Sequence, residues 1–380
     1  MTAHPQPMRS LLGRLTGLSR GRLRILPEFD YVILSGHGDE ARGQYLRGKV
    51  TLTVAPGTLV KGVDLRLVKT CRRGHHSDAS KHETSQRVHQ WHPFLLGSHP
   101  NRSNMYSNTY EWPFELLIPG HQTETFRGCH HCGISYKLEA STLSDGPAGS
   151  EISTFTPIRI IRCPATSCYE LMDSVTSHGR WSTQAEYSVS VRHQAIPLGG
   201  LIPIDVQLAT LEPDVKVASA GFVLQESHAV HKSGTGDNDA VYMDRVVERW
   251  PLEVDASSED DMRTWHQCLH LPRIVGKCSP DFCFQGSSIT HTLHFAATLI
   301  KAGFASEDYV SSIAVSLFIS PEFPISGWDM FLYGCDEMTQ ERTEALAKGI
   351  GVPPRYCRVV DRGDGASDHS AVPPPAYTAQ

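Results

Sequence analysis

The sequence contains no run of 18 apolar residues, so no helix in it is long and apolar enough to cross a bilayer. It has no acidic residue before Glu28, and its start lacks the apolar stretch of a secretory signal. It also lacks a nucleophile elbow, a phosphate-binding glycine loop and a paired Cys/His metal set, the usual short signs of catalysis or cofactor binding. A cofactor is therefore not expected. A formal net charge of −6 argues against a general nucleic-acid binder. With 40% apolar and 20% charged residues, the 380-residue chain has the composition of a folded protein, with room for two domains or one large all-β unit.

The acid-free start carries Arg9, Arg14, Arg20, Arg22 and Arg24 among leucines. Such a segment suits a flexible basic leader, a mitochondrial presequence or a stretch lying on anionic lipid. It is taken as a flexible leader over residues 1–21. Ten cysteines without an export signal are expected to be reduced thiols. Three pairs lie close in sequence: Cys129 and Cys132, Cys163 and Cys168, Cys278 and Cys283. Cys129-His130-His131-Cys132 has zinc-ligand chemistry, but one CxxC is half a site at most. No metal residues are assigned from the sequence.

Period-two alternation recurs along the chain, and long 3.6-residue periodicity is nearly absent. It is seen at Val50/Leu52/Val54, Val63/Leu65/Leu67, Ile134/Tyr136/Leu138, Tyr187/Val189/Val191, Ile202/Ile204/Val206/Leu208, Leu293/Phe295/Ala297/Leu299 and Ile313/Val315/Leu317/Ile319. Short strands with one apolar face, broken by Gly/Pro turns, predict an all-β protein built of antiparallel, immunoglobulin-like sandwiches. The polar stretch Arg72 to Asn108 reads as a long mobile loop. Alternation lapses near Cys163 to Gly179, so the expected division is a first sandwich over 22–163, a linker over 164–179 and a second sandwich over 180–334. A short helix within Asp336 to Lys348 and a disordered tail complete the chain over 335–380.

The tail holds Pro353-Pro354-Arg355-Tyr356 and Pro374-Pro375-Ala376-Tyr377. A proline pair presets polyproline II, and the tyrosine one turn later shares its face, which fits the paired ring pockets of a WW domain. Composition alone would give roughly 0.05 such motifs per chain, so two are not ascribed to chance. The candidate WW-binding residues are Pro353, Pro354, Tyr356, Pro374, Pro375 and Tyr377. Asp361, Asp364 and Asp368 between the motifs read as a solvated linker.

The order of several strand motifs resembles the arrestin fold, and specifically the α-arrestins of fungi and animals. Val32-Ile33-Leu34-Ser35-Gly36 followed by Gly43 to Val50 resembles the opening of an arrestin N-domain, as does Val63 to Leu67. Trp112-Pro113-Phe114-Glu115-Leu116-Leu117-Ile118-Pro119 and Ile134 to Ala140 resemble its later strands. Gly199-Gly200-Leu201-Ile202-Pro203-Ile204 resembles the start of the C-domain, and Ile289 to Leu293 a late strand of it. No charged core of the visual-arrestin kind aligns.

The resemblance implies two tandem sandwiches acting as an adaptor, not an enzyme. The tail would recruit a HECT-type ubiquitin ligase through WW domains, and the body would bind a plasma-membrane transporter or receptor that is then ubiquitinated and endocytosed. The implied location is cytoplasmic, peripheral to the plasma membrane or endosomes. An arrestin-fold trafficking scaffold of the retromer-subunit type, working without a ligase, is the alternative. A β-sandwich glycosidase was weighed on Glu111 and Glu115, which share a strand face about 13 Å apart, wider than that chemistry uses. Lys137 and Lys216 stand among only ten lysines as candidate ubiquitination sites.

Overall fold

The structure, a computed structural model, describes residues 21–36, 41–54, 60–73, 82–96, 108–128, 132–143, 151–164, 171–181, 183–231, 240–254, 261–284, 287–301, 303–332 and 339–348. In the first sandwich, one sheet has the order β1 (Gly21–Pro27), β3 (Gln44–Val54), β7 (Asn108–Ile118), all antiparallel. The facing sheet runs β2 (Tyr31–Ser35), β10 (Ser153–Cys163), β9 (Gly133–Leu143), β4 (Gly62–Arg73), β5 (His82–Gln90). Short strands β6 (Phe94–Leu95) and β8 (Phe126–Arg127) pair with β4 and β9. The second sandwich pairs β11 (Val175–Trp181), β12 (Ala185–Val191), β14 (Leu201–Thr210) and β17 (Met262–His270) in one sheet. Its other sheet runs β13 (Ala195–Pro197), β20 (Phe304–Phe318), β19 (Ser287–Lys301), β15 (Val215–His231), β16 (Ala240–Leu252), with β18 (Phe282–Phe284) on β19.

Every alternating stretch read from the sequence falls in or at the end of one of these strands, its apolar members inward. Leu65, Leu67, Leu138 and Leu52 are fully buried in the first core; Val206, Leu208, Phe222 and Phe295 are in the second. Two strands lack alternation for a different reason. Tyr31–Ser35 and the end of Ser153–Cys163 carry consecutive buried residues, Val32, Ile33, Leu34 and Ile158 to Ile161. They pair in parallel, Ile160 opposite Val32, and are covered on both faces. Val32, Leu34, Ile158 and Ile160 fill the first core, whereas Ile33, Ile161 and Cys163 pack into the core of the second sandwich. The junction is thus apolar and continuous with one of the cores it joins. The second sandwich repeats the device, with β13 parallel to β20.

Two expectations are revised. Arg72 to Asn108 is not one loop: it contains β5, paired with β4 from Gln90 opposite Arg66 to His82 opposite Arg73, as well as β6. His82–Gln90 is an edge strand exposed over most of its length, so its residues are polar on both faces and show no alternation. The second sandwich starts at Val175, paired with Val191, ahead of the boundary at 180 expected from sequence. A single helix, α1 (Gln340–Lys348), closes the described chain.

Candidate functional site

The WW-binding candidates Pro353, Pro354, Tyr356, Pro374, Pro375 and Tyr377 lie outside the described residues, as does the leader over 1–20. What the structure supplies is the point from which the tail departs and the body to which it is attached. Thr339 caps α1, its hydroxyl accepting from Arg342 N at 3.2 Å. Thr343 is buried on the opposite face, and its Oγ1 accepts from Leu201 N at 3.2 Å. Arg192 Nη1 donates to Glu344 Oε1 at 2.9 Å. A nine-residue helix is too short to persist alone in water, so these contacts with β14 and the end of β12 hold it.

The junction between sandwiches carries charge as well as apolar surface. Arg159 on β10 is buried; its Nε donates to Ser326 O at 3.1 Å and its Nη2 to Asp329. Burial draws the guanidinium below its ordinary value, against the pull of Asp329. Arg127 Nη2 reaches the other oxygen of Asp329 at 2.8 Å. Asp329 closes a hairpin tip at φ 62°, with Ile325 bridged to Phe331. Gly327 in that tip lies so close to Pro157 O that a β-carbon there would collide with it. Phe126 stacks on Phe282 with centroids 3.8 Å apart, and Phe155 lies 6.2 Å from Trp328. Burial also pushes the Asp30 carboxyl up, although Gly327 and Arg159 counter it. A charged junction is therefore present, built from residues too far apart in sequence to be aligned as a motif. Arg162, half-buried, donates to Glu124 at 2.7 Å and to the carbonyls of Gly36, Gly120 and Gln122.

A second buried polar group lies within the other sandwich. Glu226 on β15 is directly opposite His291 on β19. Its Oε1 accepts from Arg245 Nε at 2.7 Å, and its Oε2 from Ser279 N at 2.9 Å. His228 Nε2 lies 2.5 Å from Oε1, and His291 Nε2 3.2 Å from Oε2. His291 Nδ1 lies 2.6 Å from Asp281 Oδ1. Burial alone would lower His291, but Asp281, Cys278 and Glu226 outweigh it and raise it to about 11. Burial likewise opposes the Glu226 charge, yet its donors hold that carboxyl well below the usual range.

Elsewhere, Glu111 and Glu115 do share a face of β7, and both are taken up by cross-strand ion pairs, with Lys49 at 3.0 Å and Arg47 at 2.5 Å. Lys137 pairs with Glu139 at 2.6 Å, and Lys216 is exposed on β15. Among the described cysteines, Cys163 and Cys278 are buried and Cys283 is exposed; Cys129 and Cys168 lie outside the described residues.

Two sandwiches in tandem are the architecture implied by the arrestin resemblance, and the strand pair shared between their cores is what the structure adds. Comparison with known proteins bears this resemblance out. An arrestin domain-containing protein of Schizosaccharomyces pombe is 25% identical over 310 residues, covering 79% of this chain and 52% of its own. The HECT-type ubiquitin ligase-interacting protein creD of Emericella nidulans is 23% identical over 345 residues, 86% of this chain and 57% of its own. A probable protein of the same name from Aspergillus fumigatus is 26% identical with the same coverage. No protein-family model matches the chain. The chain is a homologue of fungal arrestin-domain proteins and spans between half and three-fifths of the length of these relatives.

Proposed function

We propose that this chain is an adaptor in which the two-sandwich body holds a membrane protein while the tail brings a HECT-type ubiquitin ligase to it. The observation that carries the reading is the pair of Pro-Pro-x-Tyr motifs, at Pro353 to Tyr356 and Pro374 to Tyr377, placed just beyond an arrestin-type body. Relatives named for interaction with such a ligase support it. The chain does no chemistry in this reading; the ligase's own cysteine does. The cargo is a plasma-membrane transporter or receptor, bound by the sandwich surface and then ubiquitinated and endocytosed. The protein works in the cytoplasm, at the face of the plasma membrane or endosome.

Binding to WW domains rests on the two tyrosine rings and the proline pairs before them. The motif starts are 21 residues apart in sequence, and a chain of that length free to move would span roughly 25 Å. Two weak contacts on one tandem WW fragment then reinforce each other through effective concentration. Removing one ring should cost about 2 kcal/mol. The test is a pull-down of a tandem WW fragment by the wild type and by a Tyr356→Ala/Tyr377→Ala double variant. The double variant is expected to lose binding with its far-UV spectrum unchanged. Equal recovery by both proteins rejects the ligase-adaptor reading and leaves a ligase-free scaffold.

A further inference from the structure

Three side chains of different ligand chemistry meet inside the second sandwich. They are the carboxylate of Glu226, the imidazole of His291 and the thiol of Cys278, with one ligand atom from each within 4.8 Å of the other two. All are buried, at 0%, 2% and 3% exposure. Oxygen, nitrogen and sulfur donors around zinc stand about 2.0–2.3 Å from the ion, which spaces tetrahedral ligand pairs roughly 3.3–3.7 Å apart. The Glu226–His291 edge, at 3.2 Å, is of that size, and the thiol lies within 4.8 Å of both. Small movements of side chains, not of strands, would complete it.

The surroundings are those of an ion's outer shell. Asp281 stands behind His291 Nδ1 at 2.6 Å and itself accepts from Leu317 N at 3.0 Å. A carboxylate so placed fixes the imidazole with Nε2 toward Glu226, the arrangement found behind ligating histidines. Ser279 N and Arg245 orient the Glu226 carboxylate, one on each oxygen. His228 Nε2 lies 2.5 Å from the oxygen that Arg245 holds.

Charge and softness decide between a proton and a metal. Glu226 and Asp281 supply two negative charges, and Arg245 one positive charge. One further positive charge would balance the site, and a proton on His291 would suffice. The Cys278 thiol bonds His291 in that proton-bound state, and as a thiolate it would give a metal-bound state a soft donor. The Cys278 thiol makes only a 3.9 Å contact with Ser279 O besides its approach to His291. A thiolate beside imidazole and carboxylate is a donor set for zinc.

We propose that Glu226, Cys278 and His291 hold a structural zinc ion. Uptake of Zn²⁺ displaces the His291 proton and the Cys278 proton, so the net charge of the site is unchanged and both protons pass to solvent. The ion would tie β15 and β19 to the segment 278–281. That segment also touches the first sandwich, through Ser279 Oγ to Arg127 O at 3.5 Å and through neighbouring Phe282 on Phe126. The site is enclosed, so its role is structural.

The test uses the full chain purified without chelator and dialysed. About one zinc per chain should remain, and chelation should lower the melting temperature. Cobalt exchanged into the site should show a thiolate-to-cobalt charge-transfer band. Cys278→Ser and His291→Gln should each retain at least tenfold less metal, and Asp281→Asn should weaken binding by about 10–100-fold. Cys129→Ser/Cys132→Ser should leave retention unchanged. The proposal is overturned if the wild type retains no zinc and its melting is indifferent to chelator. It is equally overturned if metal survives Cys278→Ser but leaves with the Cys129/Cys132 pair. The chelator result needs no variant, so a misfolded substitution cannot shield the proposal.

Discussion

Substitutions at Asp329 separate the charge of the junction from its backbone geometry. Asp329 neutralises Arg159, whose side chain is 8% exposed, and also receives Arg127. Breaking a fully buried pair costs about 3–5 kcal/mol, because the remaining charge is left without a partner. Asp329 keeps 29% exposure and Ser326 O still accepts from Arg159, so a smaller loss of about 2 kcal/mol is expected for Asp329→Asn. Asparagine tolerates the left-handed conformation at φ 62° almost as well as aspartate. Alanine does not, and adds about 1 kcal/mol of backbone strain to the lost acceptor. Glycine removes the side chain but relieves the strain. The expected order of stability is therefore wild type, Asn, Gly, Ala, with Ala about 3 kcal/mol below wild type. Urea unfolding followed by far-UV circular dichroism measures the differences, and hydrogen exchange over β10 and residues 319–332 shows where they act. A cycle with Arg159→Met should return at least about 1 kcal/mol of coupling. An alanine variant as stable as the asparagine one, or no coupling, would show that this clamp does not hold the sandwiches together.

Further outcomes follow from the cores and the titrating groups. Phe222 is 1% exposed and packs 5.3 Å from Phe295, so Phe222→Ala should cost about 3–5 kcal/mol and lower the melting temperature by roughly 6–15 °C. A loss under 1 kcal/mol by calorimetry would mean the second core repacks freely. Cys163 donates to Ile319 O at 3.6 Å and burial pushes its thiol up to about 12, so it should resist alkylation at pH 8 while exposed Cys283 labels. Mass spectrometry showing equal labelling in the native protein would contradict its place at the junction. Asp30 has its carboxyl raised by burial, so the folded state binds its proton more tightly than the unfolded chain does. Stability then falls as pH rises through the interval between the ordinary and folded values, and the penalty is full at neutral pH. Asp30→Asn should thus be more stable than wild type at pH 7, with the gain shrinking as the pH falls toward the ordinary carboxylate range. A variant less stable than wild type at pH 7 by urea unfolding would reverse that sign.

The strands were legible in proportion to the asymmetry of their burial. Val63, Leu65 and Leu67, or Ile202 to Leu208, show a clean period of two because one face meets a core and the other water. His82–Gln90 was read as loop because an edge strand exposed on both faces needs no apolar residues. The consecutive buried run from Ile158 to Ile161, apolar except for Arg159, was the opposite signal, a strand covered on both sides, and it marks the junction. Arg159 and Asp329 are 170 positions apart, and Glu226 and His291 are 65 apart. Spacing carries no information at such separations. One local clue to the buried cluster did exist. Glu226 and His228 continue the inward face set by Phe222 and Leu224, and polar residues on that face must find partners.

The same asymmetry bears on how an adaptor of this design would work. Thr343 and Glu344 hold α1 against the second sandwich, so the tail begins from a point fixed to the body. From Lys348 to Pro353 is five residues, at most about 17 Å of extended chain. The second motif starts 21 residues further on in sequence. A ligase on the first motif would thus stay close to the second sandwich, whereas one on the second would sweep a wider shell. If cargo sits on the body, the reach of the catalyst is set by these two lengths and by the stiffness of the junction, and only the strength of recruitment is set by the tyrosines. Ligase binding and the choice of modified lysine are then separable properties. In that case the first would rest on residues 353–377, and the second on the Arg159–Asp329 clamp and the helix that anchors the tether.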